Sequence, residues 1–152
     1  MTKDIVVIAH NIRSLWNIGA FFRSADAFGV AHIHLTGYTA APPRKEISKT
    51  ALGAESTISW SQEKDVFQVI ERRKKEGYCI VSLELAQGSS PLMDFRTEKP
   101  VCLILGHEIL GVPSELMALS DHTVYIPMLG AKNSLNVSVA AGIALYQIRC
   151  CC

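Results

Sequence analysis

The sequence contains no apolar stretch long enough to cross a bilayer, since a spanning helix needs about 20 consecutive apolar residues. It lacks a secretory leader pattern too: Asp4 precedes the first short apolar run, and no small-residue cleavage site follows. Neither sign of charge is in excess. Fifteen basic against 14 acidic side chains leave a formal charge of +1, so any nucleic-acid surface must be local rather than global. Two basic clusters exist. Arg72, Arg73, Lys74 and Lys75 read as a solvated helix end; Arg44, Lys45 and Lys49 suit either a phosphate backbone or a plain surface loop. Residues 10–16 include no glycine, which excludes the phosphate cradle of a dinucleotide-binding fold. The cysteines have no zinc spacing: Cys79 and Cys102 sit in apolar runs, and Cys150, Cys151 and Cys152 are consecutive. They read as free thiols in a reducing compartment. These absences predict a cytoplasmic protein with no membrane segment and no metal.

What is present is apolar and periodic. Hydrophobic residues make up 49% of the 152-residue chain and charged ones only 19%, the balance of a well-buried α/β interior. That length suffices for one domain with its own core. Apolar runs at residues 4–9, 31–35, 78–83, 101–105 and 123–126 predict buried strands, with a further short strand at 57–60. Helical spacing is found from Leu15 or Asn17 to Phe28, at residues 64–75, at 114–119 with Ser114 as the cap, and in a last helix opening with Ser134, Leu135 and Asn136. Residues 36–50 read as a long loop around Pro42 and Pro43. His32 and His34 share one strand face and have no third ligand nearby, which favours a half-buried polar face over a metal site. Alternating strands and helices predict a mostly parallel sheet flanked by helices, in one domain spanning residues 1–152.

The last third of the chain concentrates the chemistry. The strands at 101–105 and 123–126 each end in a loop rich in glycine or proline, where open parallel sheets bind ligands. These loops carry Glu108, Ser134 and Asn136. The last helix is apolar nearly all round. Leu135, Val139, Ile143 and Tyr146 form one stripe, and Val137, Ala140, Ala141, Ala144, Leu145 and Ile148 cover much of the rest. Such a helix must be buried on more than one side, which predicts a homodimer.

Three blocks together resemble one family. Asn17-Ile-Gly19-Ala-Phe-Phe-Arg23-Ser-Ala25 is similar to the first motif of the SpoU-type RNA 2′-O-ribose methyltransferases. Gly106-His-Glu108-Ile-Leu-Gly111-Val is similar to the second. Ile126-Pro-Met-Leu-Gly130 with Ser134-Leu-Asn136-Val-Ser-Val-Ala140 is similar to the third. The blocks stand in the family's order and nearly span the chain. The resemblance implies the SPOUT fold, whose C-terminal segment is threaded into a deep trefoil knot. It implies S-adenosylmethionine held by Leu83, Leu105, Gly106, Ile126, Met128, Ser134 and Leu135, and a homodimer with composite active sites.

The same resemblance makes Arg23, Asn17, Glu108, Ser134 and Asn136 the catalytic set, acting on a ribose 2′-hydroxyl of transfer RNA ahead of ribosomal RNA. Arginine hardly deprotonates in proteins, so Arg23 is expected to clamp a phosphate and stabilise the developing alkoxide rather than act as a free base. Asn17, Ser134 and Asn136 are expected to orient it and the RNA, and Glu108 to hold Arg23 or a backbone loop. Many family members carry RNA-binding extensions; this chain is expected to be a bare catalytic domain. The alternative is a catalytically inactive RNA-binding protein of the same fold.

Overall fold

The computed structural model describes residues 2–152. Seven strands form one sheet: β1 (Ile5–His10), β2 (His32–Thr36), β3 (Trp60–Glu63), β4 (Cys79–Leu83), β5 (Ser90–Pro91), β6 (Val101–Leu105) and β7 (His122–Tyr125). Their order is β3-β2-β1-β6-β4-β7-β5, and every pairing is parallel. The central strands β1, up to Ala9, and β6 are apolar on both faces and fully buried, as a sheet covered on both sides requires. All the carboxyl ends therefore point to one edge, and the loops after β1, β4, β6 and β7 meet there.

Two apolar layers cover the sheet. On one face lie α1 (Leu15–Ala27) and α5 (Val137–Cys151), with Ile18, Phe21, Phe22 and Ala25 meeting Ala141, Ala144, Leu145 and Ile148. On the other lie α3 (Val66–Lys75) and α4 (Ser114–Leu119), through Val66, Val69, Ile70 and Leu116. The segment expected as a long loop contains α2 (Lys45–Ala51), which buries only Ile47 and Ala51 against α1. Seven residues with two apolar anchors give too short a period to stand out. Close approach of α2 to α1 depends on Gly19. A Cβ there would lie 2.0 Å from Thr50 Oγ1 and 2.2 Å from the Ile47 carbonyl oxygen.

Element ends differ from the sequence expectation by one to three residues, and the caps explain the shifts. Ser14 caps α1, accepting the Asn17 amide at 3.3 Å. Asp65 caps α3 through the amides of Phe67 and Gln68. Ser114 is the first residue of α4 rather than its cap, because Pro113 takes that place. Asn136, not Ser134, opens α5. The two histidines of β2 do share one face, but His34 is fully buried. Its Nδ1 meets Glu63 at 2.8 Å and its Nε2 accepts from Arg73 at 3.1 Å. Burial is the main cause pushing its pKa down to about 4, against the pull of Glu63.

At the opposite edge, Arg149 of α5 donates to the carbonyls of Phe28, Lys3 and Gly29 at 2.8, 2.6 and 2.9 Å. One side chain thus joins the last helix to the start of the chain and to the end of α1.

Gly19→Ala should cost about 1–3 kcal/mol, the range for overpacking a tight contact, since the new methyl meets backbone that cannot swing away. A thermal melt would read this as a lowered Tm.

Candidate active site

A cavity of about 320 Å³ opens at the carboxyl edge, between the ends of β4, β6 and β7 and the first turn of α5. Leu83, Leu105 and Ile126 wall it, with Met128, Leu135, Val137 and Ala140 further round. The segment after β6 is a compact turn. His107 pairs with Gly111 across it, and the His107 carbonyl accepts the Gly111 amide at 2.9 Å. A Cβ on Gly106 would lie 2.5 Å from the backbone of Gly111 and Val112. Gly111 has a φ of +71°, and its face is covered by the Glu84 carboxylate. That carboxylate accepts the amides of Val112 at 2.9 Å and Leu85 at 3.1 Å. Gly106 is thus required by close backbone approach, and Gly111 by its positive φ and the carboxylate against it.

Beside the cavity runs a chain of side-chain hydrogen bonds. Glu108 accepts the amides of Arg13 at 3.0 Å and Ser14 at 2.9 Å, the last residues before α1. Asn17, buried in the first turn of α1, donates to Glu108 at 3.4 Å. Asn136 donates to Asn17 Oδ1 at 3.2 Å. The Asn136 Oδ1 in turn accepts the amides of Ser138 and Val139, at 2.9 and 3.3 Å, and so caps α5. Glu108 sits at the positive end of α1. Burial raises its pKa, but the amides of Ser14, of Glu108 itself and of Arg13, and the Asn17 side chain, outweigh burial and hold it below the usual carboxylate range.

A model of the SpoU rRNA methylase family matches residues 4–146. The chain belongs to the SpoU rRNA methylase family. A curated relative from Aquifex aeolicus, named tRNA (guanosine(18)-2′-O)-methyltransferase, is 32% identical over 146 residues, covering 95% of this chain and 68% of its own. The Escherichia coli protein of the same name is 31% identical, covering 95% of this chain and 62% of its own. An AdoMet-bound rRNA methyltransferase from Sinorhizobium meliloti superposes with a TM-score of 0.92 at 30% identity, covering 98% of this chain and 57% of that one. The chain spans between about half and two thirds of the length of these relatives.

Of the residues that the SpoU motifs assign, Leu83, Leu105, Gly106, Ile126, Met128, Ser134 and Leu135 all line the cavity. Glu108 does as well, and hydrogen bonds link it through Asn17 to Asn136. Glu108 holds a backbone loop and not Arg23. Arg23 stands apart: it is exposed, and it lines a shallow groove with Ser24, Lys49, Thr50, Ser138 and Val139. Six residues of helix separate it from Asn17, about 9 Å along the axis. Among the described residues Arg23 makes no side-chain hydrogen bond or ion pair, and none gather three or more His, Cys, Asp or Glu as a metal site. Among the cavity residues not assigned from the sequence are Glu84 and His107. The signal for Glu84 was a carboxylate directly after a buried strand; for His107 it was its place inside the second motif.

Glu108→Gln removes one of the two acceptor oxygens and the charge, so it should lower Tm at neutral pH. A carboxylate whose folded pKa is depressed stabilises fully above its unfolded pKa, about 4.3, and loses that contribution as pH falls through the folded value. The Tm gap between wild type and Glu108→Gln should therefore shrink once pH drops below about 4. A gap independent of pH would assign the effect to packing alone.

Proposed function

We propose that this chain carries out S-adenosylmethionine-dependent methylation of a ribose 2′-hydroxyl in RNA, with transfer RNA favoured over ribosomal RNA. The observation that carries the reading is the coincidence of the cavity with the family motifs: one wall comes from the second motif, another from the third, and Asn17 of the first is hydrogen-bonded to both. Relatives at 31–32% identity named as tRNA 2′-O-methyltransferases support the substrate class. The cavity suits the donor chemically. Leu83, Leu105 and Ile126 provide apolar walls for a flat base, and Asn133 and Ser134 provide exposed polar groups. S-adenosylmethionine held there would supply an electrophilic methyl group on a positively charged sulfur, the S–CH3 bond breaking to leave the neutral thioether as the O–CH3 bond forms and the hydroxyl proton goes to solvent. Positioning supplies much of the rate in such a transfer. Arg23, always charged, holds the phosphate beside the reacting ribose and stabilises the developing alkoxide. Ser134 and Asn136 orient the RNA at the cavity mouth, and Glu108 and Asn17 keep the loops around it in register.

We read the working unit as a homodimer. Val139, Ile143 and Tyr146 are 51%, 41% and 55% exposed, an apolar stripe along α5 in which only Tyr146 has an aromatic neighbour, the edge-on ring of Phe28, and Leu135, 39% exposed, continues it just before the helix. Trp16 of α1 adds a half-exposed ring. Val139 borders the groove of Arg23, so a second copy on this stripe approaches that arginine. Composite sites follow, in which Arg23 serves the cavity of the other copy. The chain acts as one catalytic domain. Its last segment passes through the deep trefoil knot of the SPOUT fold, a reading supported by β7 lying between β4 and β5 and by Cys152 donating to the Phe95 carbonyl at 3.0 Å. No helix among the described residues is long and apolar enough to cross a membrane, and all five cysteines are free; both fit a cytoplasmic enzyme.

The test is transfer of label from S-adenosylmethionine to transfer RNA and to ribosomal RNA, each from cells lacking the protein, followed by nucleoside digestion. Label in a 2′-O-methyl nucleoside is expected, and Arg23→Ala should abolish it while donor affinity by calorimetry stays within about threefold, well under 1 kcal/mol. Donor binding with RNA binding but no label would favour the inactive RNA-binding reading. Separately, Ile143→Glu should convert the dimer to monomer in sedimentation, since it places a charge in the centre of the apolar stripe; a wild-type monomer at micromolar concentration would remove the dimer.

A further inference from the structure

The loop after β2 presents an aromatic ring for which the reaction outlined above has no role. Tyr38 is 60% exposed, yet its backbone is tied on every side. Asn11 Oδ1 accepts the Tyr38 amide at 3.1 Å. The Gly37 amide donates to the Lys64 carbonyl at 3.3 Å. The Thr39 hydroxyl donates to the Ala9 carbonyl at 2.8 Å and accepts the Ile12 amide at 2.9 Å. Gln62 holds the Thr39 carbonyl at 3.0 Å. Gly37 has a φ of +63°, and a Cβ on it would lie 1.9 Å from Asn11 Oδ1, so this turn closes directly onto the loop after β1. That same loop offers the Arg13 and Ser14 amides to Glu108. The backbone that carries the exposed ring is therefore fixed relative to the cavity through two loops.

The ring meets His107 edge-on, with centroids 6.5 Å apart and planes at 80°. His107 lines the cavity. Its Nδ1 accepts the amides of Ile109 and Leu110, both at 3.0 Å, so the neutral ring carries its proton on Nε2 as a donor. Arg13 is exposed on the loop after β1, its amide bound to Glu108, next in sequence to His107, and brings a permanent positive charge to this edge.

A flat aromatic face carried into water by a fixed backbone, a donor next to it and a cation on the adjoining loop match what single-stranded RNA offers: a base face, a base edge and a phosphate. We propose that Tyr38 is the stacking platform for a base of the RNA adjoining the reacting ribose, with the His107 Nε2–H directed at that base's edge. The inference rests on the RNA-methylating reading for its ligand. Stacking accepts any base, so the platform positions the strand, and the His107 donor adds a preference for bases that present an acceptor. Tyr38 is thus a positioning residue, set back from the transferred methyl.

The test measures the Kd of wild type, Tyr38→Ala and Tyr38→Trp for fluorescein-labelled transfer RNA and ribosomal RNA by anisotropy, alongside the transfer assay. Tyr38→Ala should weaken the tighter-bound RNA by roughly 5- to 150-fold, the range for loss of one stacked base. Tyr38→Trp should stay within about twofold, because it keeps the ring. The salt dependence of binding should not change, since no phosphate contact is removed, and donor affinity should hold. Tyr38→Ala binding both RNAs like wild type overturns the platform whatever the transfer assay gives, as does a Tyr38→Trp variant as weak as Tyr38→Ala. Binding that depends on Tyr38, with no methyl transfer by wild type, upholds the platform and overturns the methylation reading instead.

Discussion

A single carboxylate, Glu108, organises the carboxyl edge of the sheet. It can only accept hydrogen bonds, so each donor that reaches it has its orientation decided. Asn17 must present its NH2 to Glu108, which turns its carbonyl oxygen toward Asn136. Asn136 must then present its own NH2 to Asn17, leaving its oxygen for the free amides of α5. The relay has a carboxylate at one end and helix N–H groups at the other, and both amides between them have one consistent setting. Three segments distant in the chain, the loop after β1, the turn after β6 and the start of α5, are held in common by it. An amide becomes indispensable in such a relay, since a carboxylate at either asparagine would have no proton to donate.

The fold gives this relay its opportunity. In an all-parallel sheet every strand delivers its following loop to the same edge, and here β1 and β6 lie side by side at the centre. Loop residues nearly a hundred positions apart, Ser14 and Glu108, come within 2.9 Å. The glycines of the turn after β6 then matter for what they leave out. Gly106 admits the backbone of Gly111, and Gly111 admits the carboxylate of Glu84. The turn therefore folds flat against the sheet edge, with the cavity beside it.

Much of this was legible in the sequence, for identifiable reasons. The buried strands could be read because both faces are apolar, which leaves continuous runs such as Val101–Leu105. The cavity walls could be read because they come from strand ends and from motif residues. The order of the strands was not legible, since β6 enters between β1 and β4 by long-range pairing that no local pattern encodes. Nor was α2, whose two buried residues are too few to show a period. The spacing of six already puts Asn17 and Arg23 on different stripes of α1, but a shared motif says nothing about which side of the helix faces the cavity. Of the stripe read as Leu135, Val139, Ile143 and Tyr146, the last three lie on the open side of α5, while Leu135 falls before the helix and lines the cavity, because Asn136 caps α5 later than the apolar pattern suggests.

The position of α5 in the chain has a consequence for when the protein becomes competent. The cavity draws its walls from residues 83–140 and needs Asn136 to close the relay. Arg149, one turn from the end, clasps the backbone near residue 3. During synthesis the first and last parts of the site are therefore made many seconds apart, at roughly 5–20 residues per second. A nascent chain whose α5 is still inside the ribosomal tunnel has the sheet but no finished pocket. The pocket is thus complete only after α5 has emerged and docked on α1, well after the sheet's first strands are made.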